Sequence, residues 1–223
     1  MLEIKNLKKT YNNKIVLDDI SINLESGINV IVGLNGTGKS TLLKSISGII
    51  KVDSGKIILK GRDITDLPPE KRNIGYVPQQ PYLFSHMSIR DNIMYGLKKK
   101  SKIPNEIKEA IEFLEMEKYL DLKPSELSGG YRSRTSLLRA LAIKPELMIL
   151  DEPTSSLDIY SKQTLIPYFK SILKKFNIPA IYVTHDPWEG KEIGDNFIFL
   201  SKGKLIKTNS SDEAFCRMKK YLA

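Results

Sequence analysis

Apolar positions along the chain follow two spacings, which predict alternating strands and helices. Residues Ile28 to Val32 form a short β-branched run that ends at a glycine, as is typical of a buried strand. Beyond it, apolar residues recur at helical spacing between Leu42 and Ile50. Further strands are predicted at 56–60, 147–150, 180–183, 197–200 and 204–207, the last two forming a hairpin. This alternation implies a mostly parallel sheet.

The middle of the chain is predicted to be helical. Ser88 is the expected N-cap of one helix and Asn105 of a second, while a third is expected to begin near Tyr131. The fold class is therefore α/β, with a helical lobe inserted between strands.

Composition narrows the class of protein. Hydrophobic residues make up 41% of the chain and charged residues 27%, as in ordinary globular proteins. No apolar run approaches the roughly 20 residues that cross a bilayer, and residues 1–4 do not resemble a signal peptide, so we expect a cytosolic protein. Cys216 is the single cysteine, which excludes an internal disulfide. We expect it half-buried on a terminal helix that begins near Ser211.

The formal net charge of +9 suits anionic partners such as nucleotides, nucleic acids or lipid headgroups. The lysines are scattered, however, and the densest group, Lys98-Lys99-Lys100 with Lys102, contains no aromatic residue. We therefore interpret most of the charge as a solubilising surface.

A glycine-rich segment joins the strand at 28–32 to the helix that follows. It reads Gly33-Leu34-Asn35-Gly36-Thr37-Gly38-Lys39-Ser40. Glycines let backbone N–H groups surround phosphates, and the helix N-terminus adds partial positive charge. Lys39 is expected to reach the β- and γ-phosphates and the Ser40 hydroxyl to ligate Mg²⁺. The segment predicts ATP binding, because an ordinary tight turn does not need this set of residues between a strand and a helix.

Two acids follow the predicted strand at 147–150. Ligands bind at the C-terminal ends of strands in open α/β sheets. Asp151 is expected to hold Mg²⁺ through water, and Glu152 to orient and deprotonate the attacking water. Two adjacent acids could also form a solvated turn, but the phosphate loop favours the catalytic interpretation.

A second anion site is predicted at Leu127-Ser128-Gly129-Gly130, small residues placed before a helix. Because the chain already has a phosphate loop, two anion sites favour a head-to-tail dimer with ATP between the copies.

With these motifs, the sequence resembles the ATP-binding cassette (ABC) ATPase family over nearly its whole length. In family order, the matching features are Tyr11, Gly38-Lys39-Ser40-Thr41, Gln79 in Tyr76-Val77-Pro78-Gln79, Leu127 to Gly130, Asp151-Glu152, Ser156-Leu157-Asp158 and His185. The resemblance implies one domain, 1–223, with a P-loop NTPase core and an antiparallel β subdomain at about 1–80 and 145–223. It places a helical subdomain at about 81–144.

The resemblance also assigns roles to individual residues. Tyr11 corresponds to the aromatic residue that stacks on adenine, and His185 to the histidine that contacts the γ-phosphate. Gln79 corresponds to the glutamine that contacts Mg²⁺ and the attacking water, with Gln80 as the alternative. Asp158 corresponds to the aspartate that crosses the dimer interface. The residues assigned to ATP binding in one chain are Gly33, Asn35, Gly36, Thr37, Gly38, Lys39, Ser40 and Thr41, and those from the other chain are Ser128, Gly129 and Gly130.

Two positions depart from the family pattern. Tyr131 stands where members usually carry glutamine, which changes the contacts expected near the ribose or the interface. Pro187-Trp188 after His185 is also unusual. Neither change removes a catalytic group. His86 lies in no motif and is expected at the surface.

Residues 67–77 resemble the importer branch for molybdate, tungstate, sulfate, polyamines and sugars, and 82–84 resemble the groove that receives a coupling helix. The resemblance implies a homodimer at the cytoplasmic face of the cell membrane, separate permease subunits and an extracytoplasmic substrate-binding protein. ATP hydrolysis in the dimer would drive the permease.

A soluble ABC ATPase acting on nucleic acid or ribosomes is the alternative from another class. Chromosome-maintenance members need a long coiled coil, whereas the interval 41–127 is short and lacks sustained heptads. Translation-factor members usually hold two cassettes, and this chain has one. We therefore expect no nucleic-acid partner, while an exporter ATPase, which differs only in its partner, stays open.

Overall fold

The structure is a computed structural model that describes residues 1–97 and 103–220. The strands are β1 (Leu2–Tyr11), β2 (Lys14–Leu24), β3 (Ile28–Val32), β4 (Ser54–Leu59), β5 (Arg62–Asp63), β6 (Ile74–Val77), β7 (Leu147–Asp151), β8 (Ala180–Val183), β9 (Asn196–Ser201) and β10 (Lys204–Thr208). The α-helices are α1 (Lys39–Ile46), α2 (Ile89–Met94), α3 (Asn105–Phe113), α4 (Gly129–Ala142), α5 (Ile159–Lys175), α6 (Pro187–Ile193) and α7 (Ser211–Lys220). Short 3₁₀ helices occur at Pro69–Lys71, Glu117–Tyr119 and Pro124–Glu126.

The larger sheet has the strand order β10-β9-β3-β8-β7-β6. Its strands run parallel except β10, which pairs antiparallel with β9 in the predicted hairpin. Every residue of β3, β7 and β8 is buried, because layers cover both faces of these strands. This explains their continuous apolar runs, and it confirms the predicted mainly parallel α/β fold.

The smaller sheet is antiparallel, with the order β2-β1-β4-β5. Its apolar face and the apolar side chains of α1 form one hydrophobic core with the larger sheet, in which Leu2, Leu42 and Ile149 are fully buried. The opposite face of the larger sheet packs against α4 to α7, and Leu138, Phe169 and Phe215 belong to that second core. The helix α1 therefore lies between the two sheets, directly after the glycine-rich segment.

Helices α2, α3 and α4 lie between β6 and β7 in the chain, as predicted for the inserted lobe. Ser88 caps α2 as expected, since its hydroxyl accepts a hydrogen bond from the N–H of Asp91 at 3.0 Å. The predicted cap at Asn105 is wrong by one residue: the carbonyl of Pro104 accepts the first backbone bonds of α3, and Asn105 already lies inside the helix. Helix α4 begins at Gly129, two residues before the expected start.

Two further predictions concern the surface. Cys216 is exposed rather than half-buried, because α7 turns Ala214, Phe215 and Met218 toward the core and leaves Cys216 on the other face. His86 is exposed, as expected. The lysine group 98–102 lies outside the described residues. Among the residues that the structure describes, no helix combines the length and apolar composition needed to cross a bilayer.

Candidate nucleotide-binding site

The segment after β3 is a tight loop whose glycines cannot be replaced without strain or collision. Gly36 and Gly38 have φ angles of +78° and +100°, which side chains rarely adopt. A Cβ on Gly38 would lie 3.0 Å from the carbonyl oxygen of Val16, and one on Gly33 would lie 2.5 Å from that of Leu200. The loop is therefore pressed against β2 and β9, and its backbone shape depends on these glycines.

The other loop residues complete this turn. The Thr37 hydroxyl donates a hydrogen bond to the Leu34 carbonyl at 2.8 Å, which closes the loop on itself. Asn35 and Gly36 are exposed at its tip, and Thr41 is half-buried in the first turn of α1. The tip is thus open to a ligand while its base is fixed.

Lys39 is buried, and its ammonium group lies inside the loop. It donates hydrogen bonds to the carbonyl oxygens of Gly33 at 2.8 Å and Leu34 at 3.0 Å. Its Nζ lies 3.8 Å from Oε1 of Glu152. Burial lowers the pKa of Lys39, and the carboxylates of Glu152 and Asp151 oppose that shift. The loop therefore holds a cation that can exchange carbonyl partners for phosphate oxygens.

Ser40 and Asp151 meet across the loop. The Ser40 hydroxyl donates to Oδ1 of Asp151 at 3.4 Å, and the Tyr76 hydroxyl donates to Oδ2 at 2.9 Å. Desolvation, followed by the charge of Asp151, raises the pKa of Tyr76 well above its ordinary value, so Tyr76 stays a protonated donor. No sequence motif identified Tyr76 as a partner of Asp151.

The oxygens of Ser40 and Asp151 fit Mg²⁺, which takes one or two protein oxygens together with phosphates. Within residues 1–97 and 103–220, no group of three or more His, Cys, Asp or Glu side chains could hold a metal by itself. A Mg²⁺ ion at Ser40 and Asp151 would take its further ligands from phosphate oxygens and water.

Glu152 and His185 extend from neighbouring parallel strands at the same edge of the sheet. Glu152 follows β7 with a φ of +47°, a left-handed conformation that costs a non-glycine residue about 1 to 2 kcal/mol. Its N–H donates to the Val183 carbonyl at 3.1 Å, and its carbonyl accepts from the N–H of Ser155 at 3.1 Å. Its Oε2 lies 3.3 Å from Nδ1 of His185, which is about half exposed. The structure thus brings the predicted catalytic acid and histidine into contact.

The structure does not bring Gln79 and Tyr11 into this cluster. Gln79 is exposed just beyond β6, and in the described part of the chain it makes no hydrogen bond to Ser40 or Asp151. Tyr11 is 42% exposed at the end of β1, with the Lys9 ammonium 5.2 Å from its ring centre. Both side chains are accessible to a ligand, and their roles rest on the resemblance.

The predicted second anion site, residues 127–130 (the signature segment), is separate from the phosphate loop. Ser128 is the N-cap of the 14-residue helix α4, and its side chain makes no capping hydrogen bond. A Cβ on Gly130 would meet nothing within 4 Å. In the described residues, no hydrogen bond or ion pair joins Ser128, Gly129 or Gly130 to the loop at 33–40. Ser128 is exposed, and Gly129 and Gly130 are half-buried.

Asp158 is exposed and caps α5. Its carboxylate accepts hydrogen bonds from the Ser161 N–H at 2.9 Å and hydroxyl at 2.7 Å. These bonds lower the pKa of Asp158, the hydroxyl bond most strongly.

Tyr131 turns into the helical lobe. The ring centre of Tyr131 lies 4.2 Å from that of Tyr119 and 5.1 Å from the Arg134 guanidinium. The interaction between the two phenols raises the pKa of Tyr131 and lowers that of Tyr119. The bulk that replaces the usual glutamine is therefore accommodated by packing within the chain.

Comparisons with known proteins agree with this fold. The ABC transporter family matches residues 17–155. The molybdate/tungstate import ATP-binding protein WtpC of Pyrococcus horikoshii is 39% identical over 224 residues, which cover 98% of this chain and 65% of that protein. Its counterpart from Methanocaldococcus jannaschii is 43% identical over 210 residues, covering 92% of this chain and 69% of that protein. The chain thus spans about two thirds of the length of the curated relatives it matches.

A solved dimeric structure of a bacterial ABC transporter cassette superposes with a TM-score of 0.80 at 27% identity, covering 94% of this chain and all of that one. The family match, the relatives and the fold lead to the same conclusion. The chain belongs to the ABC transporter family, as one of its ATP-binding cassettes.

Proposed function

We propose that this chain is the ATP-hydrolysing subunit of a membrane importer and that it works as an ATP-bridged homodimer. The observation that carries the proposal is the contact series from Lys39 through Glu152 to His185, with separations of 3.8 and 3.3 Å. A phosphate-binding cation, a base and a second polar contact meet at the carboxyl edge of the parallel sheet, where ligands bind in this class of fold.

ATP binding would begin at the loop. Backbone N–H groups at 33–40 and the Lys39 ammonium would bind the phosphates, and Tyr11 would stack on adenine. Ser40 and Asp151 would hold Mg²⁺, with Gln79 joining after a movement of its exposed segment. Bound Mg²⁺ supplies charge neutralisation at the phosphate oxygens. Lys39 would exchange its two carbonyl partners for those oxygens.

Hydrolysis would depend on the pair of Glu152 and His185. Glu152 orients a water molecule for attack on the γ-phosphate and accepts its proton. Nδ1 of His185 lies toward Glu152, which leaves Nε2 available to contact the γ-phosphate. Positioning and charge stabilisation account for most of the catalysis expected of phosphoryl transfer.

The second copy would close the site. Ser128 is exposed at the N-terminus of α4, beside the half-buried Gly129 and Gly130, and a phosphate of the partner's ATP is favoured there. Asp158 is exposed at the start of α5 and would cross the interface. Because both chains bind the γ-phosphate, its loss opens the dimer.

The importer assignment rests on the relatives and on one groove. Two relatives are named as import ATP-binding proteins. A groove of about 550 Å³ is lined by residues that include Tyr82, Leu83, Ser125 and Arg132. It joins the segment after Gln79 to the signature helix, so a permease helix bound there would contact both. The helical subdomain at about 81–144 would thus transmit the nucleotide state to permease subunits at the cytoplasmic face of the membrane. A substrate-binding protein would deliver the cargo from the other side.

The test compares the purified chain with its Glu152→Gln variant. The wild type should release phosphate from ATP in the presence of Mg²⁺. Glu152→Gln should release it about 10²- to 10⁴-fold more slowly while still binding ATP, because a positioned base contributes that factor. Glu109→Gln is the matched control, since its carboxylate is paired with exposed Lys175 and is remote from the loop. Undiminished release by Glu152→Gln would overturn the assignment of the base.

The importer part of the proposal needs its own test. If a neighbouring gene encodes a permease, the chain should be purified in complex with that permease and reconstituted into vesicles. ATP-dependent uptake that requires a binding protein supports import. ATP-dependent extrusion would instead identify an exporter.

A further inference from the structure

The Glu189 carboxylate is buried behind the two catalytic loops, and no step of the proposed hydrolysis uses it. Glu189 lies on α6 and is 2% exposed. Its Oε1 accepts from the Thr154 hydroxyl at 2.8 Å and is paired with Lys162 at 2.9 Å, while its Oε2 accepts from the hydroxyls of Thr184 at 2.7 Å and Tyr182 at 3.3 Å. A buried charge is stable only when it is paired and hydrogen-bonded in this way.

Two of these partners adjoin catalytic residues. Thr154 comes two positions after Glu152, and Thr184 directly precedes His185. Glu189 therefore connects the backbone segments that present Glu152 and His185, whose side chains lie 3.3 Å apart. A displacement of about 1 Å in such a pair can cost about 100-fold in rate.

A third partner connects the same carboxylate to the interface side of the chain. Lys162 lies in the first turn of α5, where its N–H donates to the Asp158 carbonyl at 3.0 Å. Its ammonium also lies 3.7 Å from Oδ2 of Asp186, which caps α6. The network of Glu189 and Lys162 thus joins the N-termini of α5 and α6.

We propose that Glu189 is a positioning residue that fixes the segments of Glu152 and His185 to each other and to the start of α5. The inference rests on the proposed hydrolysis of ATP. A movement of His185 on binding or losing the γ-phosphate would then shift Asp158, because Glu189 and Lys162 connect the two segments. The catalytic pair and the interface residue would respond to nucleotide as one unit.

The test uses Glu189→Gln, which keeps the side-chain shape but removes the nearer of the two carboxylates paired with Lys162, at 2.9 Å, and leaves only Asp186 at 3.7 Å. The kcat for ATP should fall at least about 10-fold, while KM changes by less than about 3-fold, because the lost interaction acts on the reacting groups. Trp188 is the only tryptophan and is 41% exposed beside Glu189. Acrylamide should quench its fluorescence more strongly in the variant, even without nucleotide.

Asn29→Ala is the matched control for lost stability. Asn29 is buried at the other end of the sheet, where its amide donates to the carbonyls of Glu25 and Ala180. This variant should lower the unfolding temperature without changing kcat or Trp188 quenching. A second variant, Thr184→Val, removes one hydroxyl and keeps the ion pair. Thr184→Val should also lower kcat. It tests the same network if Glu189→Gln fails to fold.

The outcomes separate this inference from the proposed function. If the wild type hydrolyses ATP and both Glu189→Gln and Thr184→Val retain wild-type kcat and quenching, the positioning role is wrong. If kcat falls only as far as in Asn29→Ala at equal folded fraction, it is also wrong. If the wild type hydrolyses no ATP, the proposed function fails. Quenching of Trp188 in the variants then still decides whether Glu189 orders the segment.

Discussion

Replacement of Tyr76 by phenylalanine would remove the hydroxyl that donates to Asp151 at 2.9 Å and would leave the ring in place. Asp151 is 6% exposed, so solvent cannot easily replace the lost donor. A hydrogen bond to a charged group contributes about 1.5 to 3 kcal/mol to folding stability. For a domain of this size, that loss lowers the unfolding temperature by about 3 to 12 °C.

The assay is urea or thermal unfolding of Tyr76→Phe beside Tyr160→Phe as control. Tyr160 is 81% exposed, so removal of its hydroxyl should change the free energy of unfolding by less than about 0.5 kcal/mol. The difference between wild type and Tyr76→Phe should also depend on pH. The pKa of Tyr76 is raised above its ordinary value of 10.0, so its contribution is complete below pH 10 and falls at higher pH, where the unfolded chain ionises first. Equal stability of the two variants at pH 7 would refute this account of Asp151.

Two further predictions use the same kind of comparison. Gly38→Ala should lower stability by about 1 to 2 kcal/mol through its positive φ, and should weaken ATP binding through its contact with Val16. Gly61 has a φ of +80° and open space around it, so Gly61→Ala should lower stability without weakening ATP binding. Equal ATP affinity of Gly38→Ala and Gly61→Ala would contradict the role of the contact between residue 38 and Val16. Asp158→Asn should match wild type near neutral pH, since asparagine also caps helices. Hydrogen bonds lower the pKa of Asp158 from 3.8, so the wild type should lose the stability that this carboxylate contributes as the pH falls below about 3.8. Asp158→Asn should not lose it. Unfolding of both proteins at pH 7 and at pH 3 measures the difference.

The parts of the fold that depend on local pattern were predictable. The strand at 28–32 and the glycine-rich segment after it appear where the sequence placed them, because backbone conformation there is set by neighbouring residues. The strand at 180–183 also has its predicted bounds, since both of its faces are covered and its apolar run is continuous.

Helix α5 was not predicted, although the signal is in the sequence. Its buried residues, Leu165, Ile166, Phe169, Ile172 and Leu173, recur at helical spacing. Pro167 interrupts that pattern at an exposed position, and proline usually ends a helix. Burial of the apolar stripe against the sheet outweighs the local cost.

The contacts that complete the site could not be predicted from spacing. Tyr76 lies 75 positions from Asp151, and Thr154 lies 35 positions from Glu189. Such pairs depend on which strands become neighbours and on the register between them. Glu189 belongs to no sequence motif, so its position in the sequence gives no sign that it will be buried with four partners.

Mixing two inactive variants tests most directly whether each ATP site is shared by two copies. Lys39→Ala disables the phosphate loop, and Ser128→Arg blocks the signature segment. Alone, each variant should release phosphate at less than about a hundredth of the wild-type rate. An equimolar mixture should recover about a quarter of the wild-type rate per chain. Half of the dimers are then mixed, and each mixed dimer contains one intact site of its two. A mixture that stays inactive, or full activity of Ser128→Arg alone, would contradict the shared site.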